Sequence, residues 1–370
     1  MNVTIGGRFS PPGIVRRNRR VRAFSLVELL TVMFIISALI AILVPSLNAA
    51  RNSAKKTATI AAINSIKAGL EMFRGDNERQ FARTNGYPPS FAHPRMVDSS
   101  GNDIFEAHEG RFPFIEEKPV VSGAHWLPAM LMGVDQKGYI QGKTVTKKNN
   151  LRYEPWKWYT PDPLNDDTSL DRAGFYADPG GLKTVQTKDL PGRPNSTLFS
   201  NGPWDIVKHL PVIVDSFGQP FLYYVANVNG RPTNMVADKR NRENKYTGGP
   251  QEQGPPYYFH EDNLQFTGSE DDAGWDFDGP HKIARAGDEF TADQLVDPTN
   301  AEARESFARF IVDRTLYRTM LRKATEENEP PSEKATLRPV NADSFLLISA
   351  GVDGIYGTPD DVTNFPLAVE

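Results

Sequence analysis

The stretch that decides the fold runs from Arg22 to Val44 and has the sequence RAFSLVELLTVMFIISALIAILV. Its last sixteen residues, from Leu29 onward, carry no charge, and between Phe24 and Ala50 the only ionisable side chain is Glu28. A helix rises about 1.5 Å per residue, so these 27 residues would reach roughly 40 Å, enough to cross a hydrocarbon core of about 30 Å. In lipid, a helix satisfies its own backbone polar groups. The sequence therefore predicts a membrane-spanning helix over residues 24–50.

Two features distinguish this segment from a plain membrane anchor. The carboxylate of Glu28 lies inside the apolar run, where an unpaired charge is costly, so we expect it to have a partner. The residues before Phe24 contain no acid and six arginines, Arg8, Arg16, Arg17, Arg19, Arg20 and Arg22. Under the positive-inside rule, this leader stays in the cytoplasm and the bulk of the chain lies on the other side of the membrane.

The segment Ala23-Phe24-Ser25-Leu26-Val27-Glu28 resembles the processing site of type IV prepilins and of type II secretion pseudopilins. That site has a small residue before the cut, phenylalanine after it and glutamate as the fifth mature residue. The resemblance implies that a prepilin peptidase cleaves between Ala23 and Phe24 and that Phe24 is N-methylated. It also implies that Glu28 pairs with the new amine of a neighbouring subunit. Pro45 falls where many pilins have a helix-kinking proline, whereas Ala23 departs from the usual glycine.

Two other kinds of N-terminal segment are alternatives. A secretory signal peptide has a shorter apolar core with a small-residue cut after it, whereas here the apolar run is long and a helical pattern continues past it. A plain signal anchor explains the arginines and the apolar run. It does not explain Glu28.

Composition limits the class of protein. The 370 residues are 39% hydrophobic and 24% charged, which fits one membrane helix with one large globular domain or two. Without the six leader arginines, 36 basic residues stand against 46 acidic ones, a net charge of about −10. Such a balance argues against a nucleic-acid partner, which requires a basic face. The absence of cysteine excludes disulfides and thiolate metal sites.

Residues 51–76 continue the helix as an amphipathic segment. From residue 46 onward, apolar residues recur mostly at steps of three and four, namely Leu47, Ala50, Ala54, Ala58, Ala61, Ile66, Leu70 and Phe73. This spacing predicts a helix that packs on a globular domain, and Gly75-Asp76-Asn77 predicts its end. The predicted organisation is a leader (1–23), a transmembrane helix (24–50), an amphipathic helix (51–76) and a globular domain (77–370). Within that domain, we expect two large insertions, at about residues 90–210 and 229–340.

Residues 211–226 predict a β-hairpin. Two apolar, β-rich runs, Pro211–Asp215 and Phe221–Ala226, flank the turn Ser216–Pro220, in which glycine and proline interrupt the strands. The segment also resembles the Asp-Pro-Trp-Gly-Asn-Pro-Tyr-x-Tyr signature of the major (G-type) pseudopilin. Ser216 departs from that signature, and the residues that match it are Asp215, Gly218, Pro220 and Tyr223. This second resemblance favours a pseudopilin over a generic pilin.

A second candidate site follows a predicted strand at residues 344–349. The loop Ala350–Val362 has the sequence AGVDGIYGTPDDV, with three glycines that permit positive φ and three aspartates that supply hard oxygen ligands. Calcium takes six to eight oxygens from carboxylates, carbonyls and water. From the residues alone, both a solvated turn and a metal-binding loop are open.

This loop resembles the C-terminal calcium loop of the major pseudopilin. The resemblance implies that Asp353 and Asp360 bind Ca²⁺ through side chains and that Ala350 and Ile355 bind it through carbonyls. Ser349 and Asp361 complete the implied ligand set. The ion would be structural, closing the last loop of the subunit.

The predicted insertions contain three weaker signals. The aromatic cluster Trp156–Tyr159 fits a core or interface, with sugar stacking as the alternative, and Asp276–Gly279 resembles an EF-hand fragment but fits a solvated loop better. Thr299 and Glu302 form a capping box that predicts the start of a helix ending near Glu326. Its apolar face, which covers a core or alternatively meets a partner, consists of Phe307, Phe310, Ile311, Tyr317, Met320 and Leu321.

The sequence contains no P-loop, dinucleotide fingerprint, nucleophile elbow or HExxH pair. We therefore expect a non-enzyme of α+β fold, with a long N-terminal helix packed on a small antiparallel sheet with loop-rich insertions. The resemblance implies a pseudopilin-like subunit of a type II secretion or related filament, held in the inner membrane with its C-terminal domain in the periplasm. Its partners would be prepilin peptidase, itself and other pseudopilins, and an inner-membrane assembly platform. A type IV pilin or minor tip subunit, and a membrane-anchored ligand-binding protein, are the alternatives.

Overall fold

The computed structural model describes residues 25–78, 84–90, 122–133, 136–139, 174–190, 210–231, 236–237, 256–267, 283, 292–297, 299–300, 306–326 and 336–367. The chain divides into two compact units, Met1–Arg51 and Asn52–Glu370. The predicted aromatic cluster at residues 156–159 and the EF-hand-like fragment at 276–279 lie outside the described residues.

The described elements are mixed α and β, as predicted. The helices are α1 (Leu26–Asn77), α2 (Gly123–Leu131), α3 (Leu264–Thr267), α4 (Ala292–Val296), α5 (Phe307–Ile311) and α6 (Arg314–Glu326). Short 3₁₀ helices occupy Thr187–Asp189 and His260–Asn263. The strands are β1 (Thr184–Gln186), β2 (Pro211–Ile213), β3 (Leu222–Val225), β4 (Val236–Ala237), β5 (Tyr258–Phe259), β6 (Phe345–Ser349) and β7 (Val362–Thr363).

Helix α1 confirms the predicted long helix to within two residues at its start and one at its end. It is the one helix among the described residues that is long and apolar enough to cross a membrane. Every side chain from Leu26 to Arg51 is exposed. In the second unit, α1 buries one face, formed by Thr59, Ile63, Ile66, Gly69, Leu70, Phe73 and Asn77.

The sheet β3-β6-β7 is antiparallel and forms the centre of the second unit. Its two faces contact different groups of buried residues. Tyr223, Val225, Phe345 and Leu347 belong to the core that contains Ile66, Leu70 and Phe73 of α1 and most of α2. Residues in the alternate positions pack against α5 and α6, and they are Leu222, Tyr224, Leu346 and Ile348. Burial on both faces explains why these strands are continuously apolar rather than alternating.

The prediction that residues 211–226 form a β-hairpin is wrong about the pairing of the two strands and correct about the turn between them. Strand β2 pairs with β1, and β3 pairs with β6, so the two runs belong to different sheets. They meet only at the bridge between Val214 and Pro220, next to the Phe221 N–H that donates to the carbonyl of Ile213 at 2.9 Å. Pro220 cannot donate a ladder hydrogen bond, which favours this separation.

The helix predicted from Thr299 to Glu326 is two helices. Ser306, rather than Thr299, caps the first, because its Oγ accepts from the Arg309 N–H, whereas the Thr299 hydroxyl donates to Asp297. The break follows at Val312, whose backbone is extended. The apolar face does cover a core, as the sequence favoured, because Phe307, Ile311 and Tyr317 are buried.

Candidate functional site

The predicted cleavage residues Ala23 and Phe24 lie outside the described residues, but the start of α1 beside them is described. The Ser25 N–H donates to Oε2 of Glu28 at 2.9 Å, and the Glu28 N–H donates to Oγ of Ser25 at 3.1 Å. This reciprocal pair is a capping box, which satisfies two backbone donors that a helix start otherwise leaves free.

Sequence reasoning missed the role of Ser25, although the signal was present. The spacing Ser25-x-x-Glu28 before an apolar run is the sequence signature of a capping box. Glu28 therefore has a hydrogen-bond partner within its own subunit, three residues away. The carboxylate is not isolated in the apolar run even before any neighbouring subunit is considered.

Pro45 lies inside α1, and the helix continues through it. Because proline has no N–H, position 45 cannot donate to the carbonyl of Ala41. One residue later, the Ser46 hydroxyl donates to the carbonyl of Leu43 at 2.8 Å, so a side chain supplies a donor next to the missing one.

The second candidate site is the C-terminal loop, defined here as residues 350–361 between β6 and β7. Gly351, Gly354 and Gly357 have φ values of 67°, 73° and 91°, which confirms the predicted use of three glycines at left-handed positions. At Gly351 a Cβ would also lie 2.4 Å from the carbonyl oxygen of Asp360. The loop is therefore folded tightly on itself.

The carboxylate of Asp360 organises the inside of this loop. Its Oδ2 accepts from the N–H groups of Val352 and Asp353 at 2.6 and 3.1 Å, and its Oδ1 accepts from the Thr358 hydroxyl at 2.6 Å. Burial opposes the charged form, but the hydrogen bonds from Thr358 and the two amides outweigh it and lower the pKa of Asp360. Thr358 is a residue that sequence reasoning did not single out.

The carboxylate of Asp361 is buried beside it. Oδ2 of Asp361 accepts from the Gly357 N–H at 2.8 Å, and Oδ1 lies 3.3 Å from the hydroxyl of Thr358. Burial, assisted by the nearby charge of Asp360, raises the pKa of Asp361 to about 8. The loop thus brings two carboxylates to one hydroxyl, although like charges at this spacing repel.

The predicted ligand set is gathered only in part. Asp360 and Asp361 converge, and hard carboxylate oxygens are the donors that calcium prefers. Asp353 accepts from the Ile355 N–H at 2.8 Å through its own Oδ1, and its carboxyl group also lies beside that of Asp360. The Ser349 hydroxyl, in contrast, donates to Asp215. Within the described residues, no three His, Asp or Glu side chains stand in an arrangement that could hold a metal ion.

The turn at residues 215–220 lies directly against this loop. Asp215, which is 1% exposed, accepts at Oδ1 from the N–H groups of Phe217, Gly218 and Gln219, at 2.8, 2.8 and 2.9 Å. Its Oδ2 accepts from the Ser349 hydroxyl at 2.6 Å. The two segments that the sequence offered as separate resemblances therefore form one hydrogen-bonded unit.

Comparison with known families bears on the first of these sites. Residues 18–44 match the family model described as the prokaryotic N-terminal methylation motif. The chain carries a prepilin-type methylation motif. The motif indicates a type IV pilin-like protein that is a substrate of prepilin peptidase, and a structural subunit rather than an enzyme.

The methylation motif spans Ala23, Phe24 and the capping box, and it ends at Val44, one residue before Pro45. It covers 27 of the 370 residues. No curated protein and no solved structure matches the chain. The C-terminal loop and the 215–220 turn lie outside the matched residues.

Proposed function

We propose that this protein is a pseudopilin-like structural subunit of a type II secretion filament or a related pilus-like filament. The observation that carries the proposal is that the methylation motif opens a helix which continues without interruption to Asn77, where it is part of a globular core. A signal peptide or a simple anchor needs no such continuation.

Assembly would use the apolar first part of α1. Its leucine, isoleucine and valine side chains between residues 26 and 44 are exposed, so they contact lipid in a lone subunit. In a filament, the same side chains would pack against neighbouring helices. Glu28 would exchange its bond to the Ser25 N–H for the amine of a neighbour's Phe24, a charge-assisted pair that is stronger than a neutral one.

The location follows from the same segment. The arginine-rich leader would hold the N-terminus in the cytoplasm until prepilin peptidase removes it, and the domain after α1 would lie in the periplasm. The chain contains no nucleotide-binding motif, so an ATPase in the assembly platform of the inner membrane would supply the energy.

Calcium in the C-terminal loop is the second part of the proposal. Asp353 and Asp360 would bind it through side chains and Ala350 and Ile355 through carbonyls, with Ser349 and Asp361 as further ligands. The convergence of Asp360 and Asp361 supports this assignment, since a cation between them would offset the repulsion of a half-buried carboxylate and a buried one. An ion that binds only the folded loop stabilises the fold by mass action.

Processing and assembly are tested by expressing the full-length chain with a prepilin peptidase and measuring the N-terminal peptide by mass spectrometry. We expect a peptide that begins with methylated Phe24. Glu28→Leu should still insert in the membrane, because it removes a costly carboxylate, but should no longer enter sheared filaments. Glu78→Leu, a change of the same type at an exposed site outside the methylation motif, is the control. An uncut leader, or filaments that form normally with Glu28→Leu, would overturn the proposal.

The type of filament is tested separately. Neighbouring genes for a secretion ATPase and an outer-membrane channel favour the secretion role, and a retraction ATPase gene favours a surface pilus. If neither kind of gene lies nearby, a membrane-anchored ligand-binding protein is favoured.

Calcium is tested by thermal melts of the detergent-solubilised full chain with Asp353→Ala and Asp360→Ala. Wild type should melt several degrees higher in millimolar calcium, and both variants should lose that shift. Asp178→Ala is a matched control, because Asp178 also caps a tight turn by accepting from the Gly180 N–H, but in a different loop. A wild type that ignores millimolar calcium would remove the ion from the proposal.

A further inference from the structure

We propose that the turn at residues 215–220 positions the C-terminal loop for its ion, and that Asp215 and Tyr356 are the positioning residues. This inference rests on the calcium part of the proposed function. Neither residue belongs to the ligand set implied by the sequence, so their role is to hold the loop rather than to bind the ion.

Asp215 is the centre of the turn. One oxygen accepts from three consecutive backbone N–H groups, and the other accepts from Ser349, the last residue of β6. The Gly351 N–H in turn donates to Oγ of Ser349 at 3.3 Å. A buried carboxylate with several hydrogen bonds is costly to replace, because each donor it leaves would be unsatisfied. The start of the loop is therefore fixed to the turn.

The middle of the loop is fixed to the same turn from the other side. The buried Tyr356 hydroxyl donates to the carbonyl of Pro220. Gln219 lies against Gly354, where a Cβ would approach its Nε2 to 3.2 Å. The turn thus contacts the loop on both sides of Asp353, while Asp360 and Asp361 bond to the loop's own backbone.

The turn itself is anchored outside the loop. The Ser216 N–H donates to Oγ1 of Thr59 on α1 at 3.3 Å, and the ammonium of Lys55 lies 5.3 Å from the ring centroid of Phe217. Val214 and Pro220 form a bridge that closes the base of the turn. A support fixed to both a helix and strand ends can hold the loop in one geometry, and the rigidity of a calcium site is one of the factors that set its affinity.

The variant that tests this is Tyr356→Phe, which removes one hydroxyl from the contact between loop and turn and leaves every predicted ligand in place. A buried hydrogen bond contributes about 0.5–1.5 kcal/mol. If that amount is lost from the ion-ready loop, the calcium dissociation constant rises about twofold to tenfold. Asp215→Asn should have a larger effect in the same direction.

Tyr223→Phe is the matched control. Tyr223 is also a fully buried tyrosine whose hydroxyl donates to a proline carbonyl, that of Pro88 at 2.7 Å, and it lies outside the loop. It should lower the melting temperature by an amount similar to Tyr356→Phe, but leave the calcium affinity unchanged. A merely structural role for Tyr356 would make the two variants equivalent.

The measurements are calcium titration and amide hydrogen exchange on the detergent-solubilised full chain. We expect faster exchange at Val352, Asp353 and Gly357 in Tyr356→Phe and Asp215→Asn, and weaker calcium binding in both. If both variants bind calcium as tightly as wild type, the positioning role is wrong and calcium binding stands. If wild type does not bind calcium but these amides still exchange faster in the variants, the calcium assignment fails and the support of the loop by the turn stands.

Discussion

Residues 26–51 and 52–77 belong to one helix, α1, but they place their apolar side chains in opposite environments. In the first part, leucines such as Leu39 are mostly exposed, at 63% for that residue, whereas in the second part Leu70 is 0% exposed. The first part is apolar on all sides, which suits lipid or other helices. The second part is apolar along one stripe, which packs on the core beneath the central sheet.

The difference shows that the same residue type can lie in two environments along one helix. An all-round apolar pattern leaves the choice of partner open, so a lone subunit can exchange lipid for neighbouring helices. A striped pattern fixes one partner, the subunit's own domain. Because α1 passes from one pattern to the other, it can belong to an assembly and to a folded domain at once.

The largest expected effect is the difference between truncating a leucine in the second part of α1 and truncating one in the first part. Leu70→Ala leaves a cavity in the core and should lower the free energy of unfolding of the globular unit by about 2–5 kcal/mol. Leu39→Ala, the matched control, should change it by less than about 0.5 kcal/mol, since an exposed side chain contributes little. Denaturant titration of the detergent-solubilised chain measures both. If the two variants lose similar amounts of unfolding free energy, the two parts of α1 do not differ in the way described.

Between pH 7 and 5, acid should weaken the globular unit, because α2 buries the imidazole of His125. The Ser122 N–H donates to Nδ1 of His125, and Nε2 lies 2.9 Å from Oγ1 of Thr187, whose hydroxyl donates to the carbonyl of Leu210. These bonds assign the proton to Nε2, and protonation of Nδ1 would place N–H against N–H. Burial lowers the pKa of His125 to about 3.

The sign of the pH effect follows from that pKa. The unfolded chain takes up a proton on His125 near pH 6.5, but the folded chain does not, so stability is intact above that pH. As the pH falls further, the contribution of His125 is lost at about 1.4 kcal/mol per unit, or about 2 kcal/mol by pH 5. His125→Gln should be less stable at pH 7 but lose less between pH 7 and 5. Parallel pH profiles for the two proteins would contradict this account.

Sequence reasoning was most successful where one pattern was long. The start and end of α1 were predicted within two residues, and the three glycines of the C-terminal loop, which permit positive φ, do adopt it. It failed where pairing depends on distant segments. The runs at 211–213 and 222–225 look like hairpin partners, but each finds a better partner elsewhere, β1 and β6. No local pattern contains that information.

The candidate site shows the same division. Ser25 could have been found from its capping-box spacing, because its partner is three residues away. The bond between Asp215 and Ser349 joins residues 134 positions apart, so no spacing rule predicts it. The resemblance identified the 215–220 turn and the C-terminal loop as separate motifs. Their contact is visible only in the folded structure.

The smallest expected effects come from replacing two glycines in the second part of α1 by alanine. Each replacement adds a single methyl group, one at a buried position and one at an exposed position. Gly69 is buried, and a Cβ there would lie 2.7 Å from the backbone oxygen of Tyr176, whereas at Gly75 a Cβ would meet nothing within 4 Å. Gly69→Ala should therefore cost about 1–3 kcal/mol, because the segment at Tyr176 must move away. Gly75→Ala should instead stabilise the protein by up to about 0.5 kcal/mol, since alanine loses less backbone entropy in a helix.

Thermal melts of the two alanine variants beside wild type measure both changes. Opposite signs would show that the buried stripe of α1 extends through Gly69 and that the helix is solvent-exposed at Gly75, six residues later. If Gly69→Ala were neutral or stabilising, the contact between α1 and the segment at Tyr176 would be loose. The second part of α1 would then contact its domain mainly through its larger buried side chains, such as Ile66, Leu70 and Phe73, and not through a close backbone approach at Gly69.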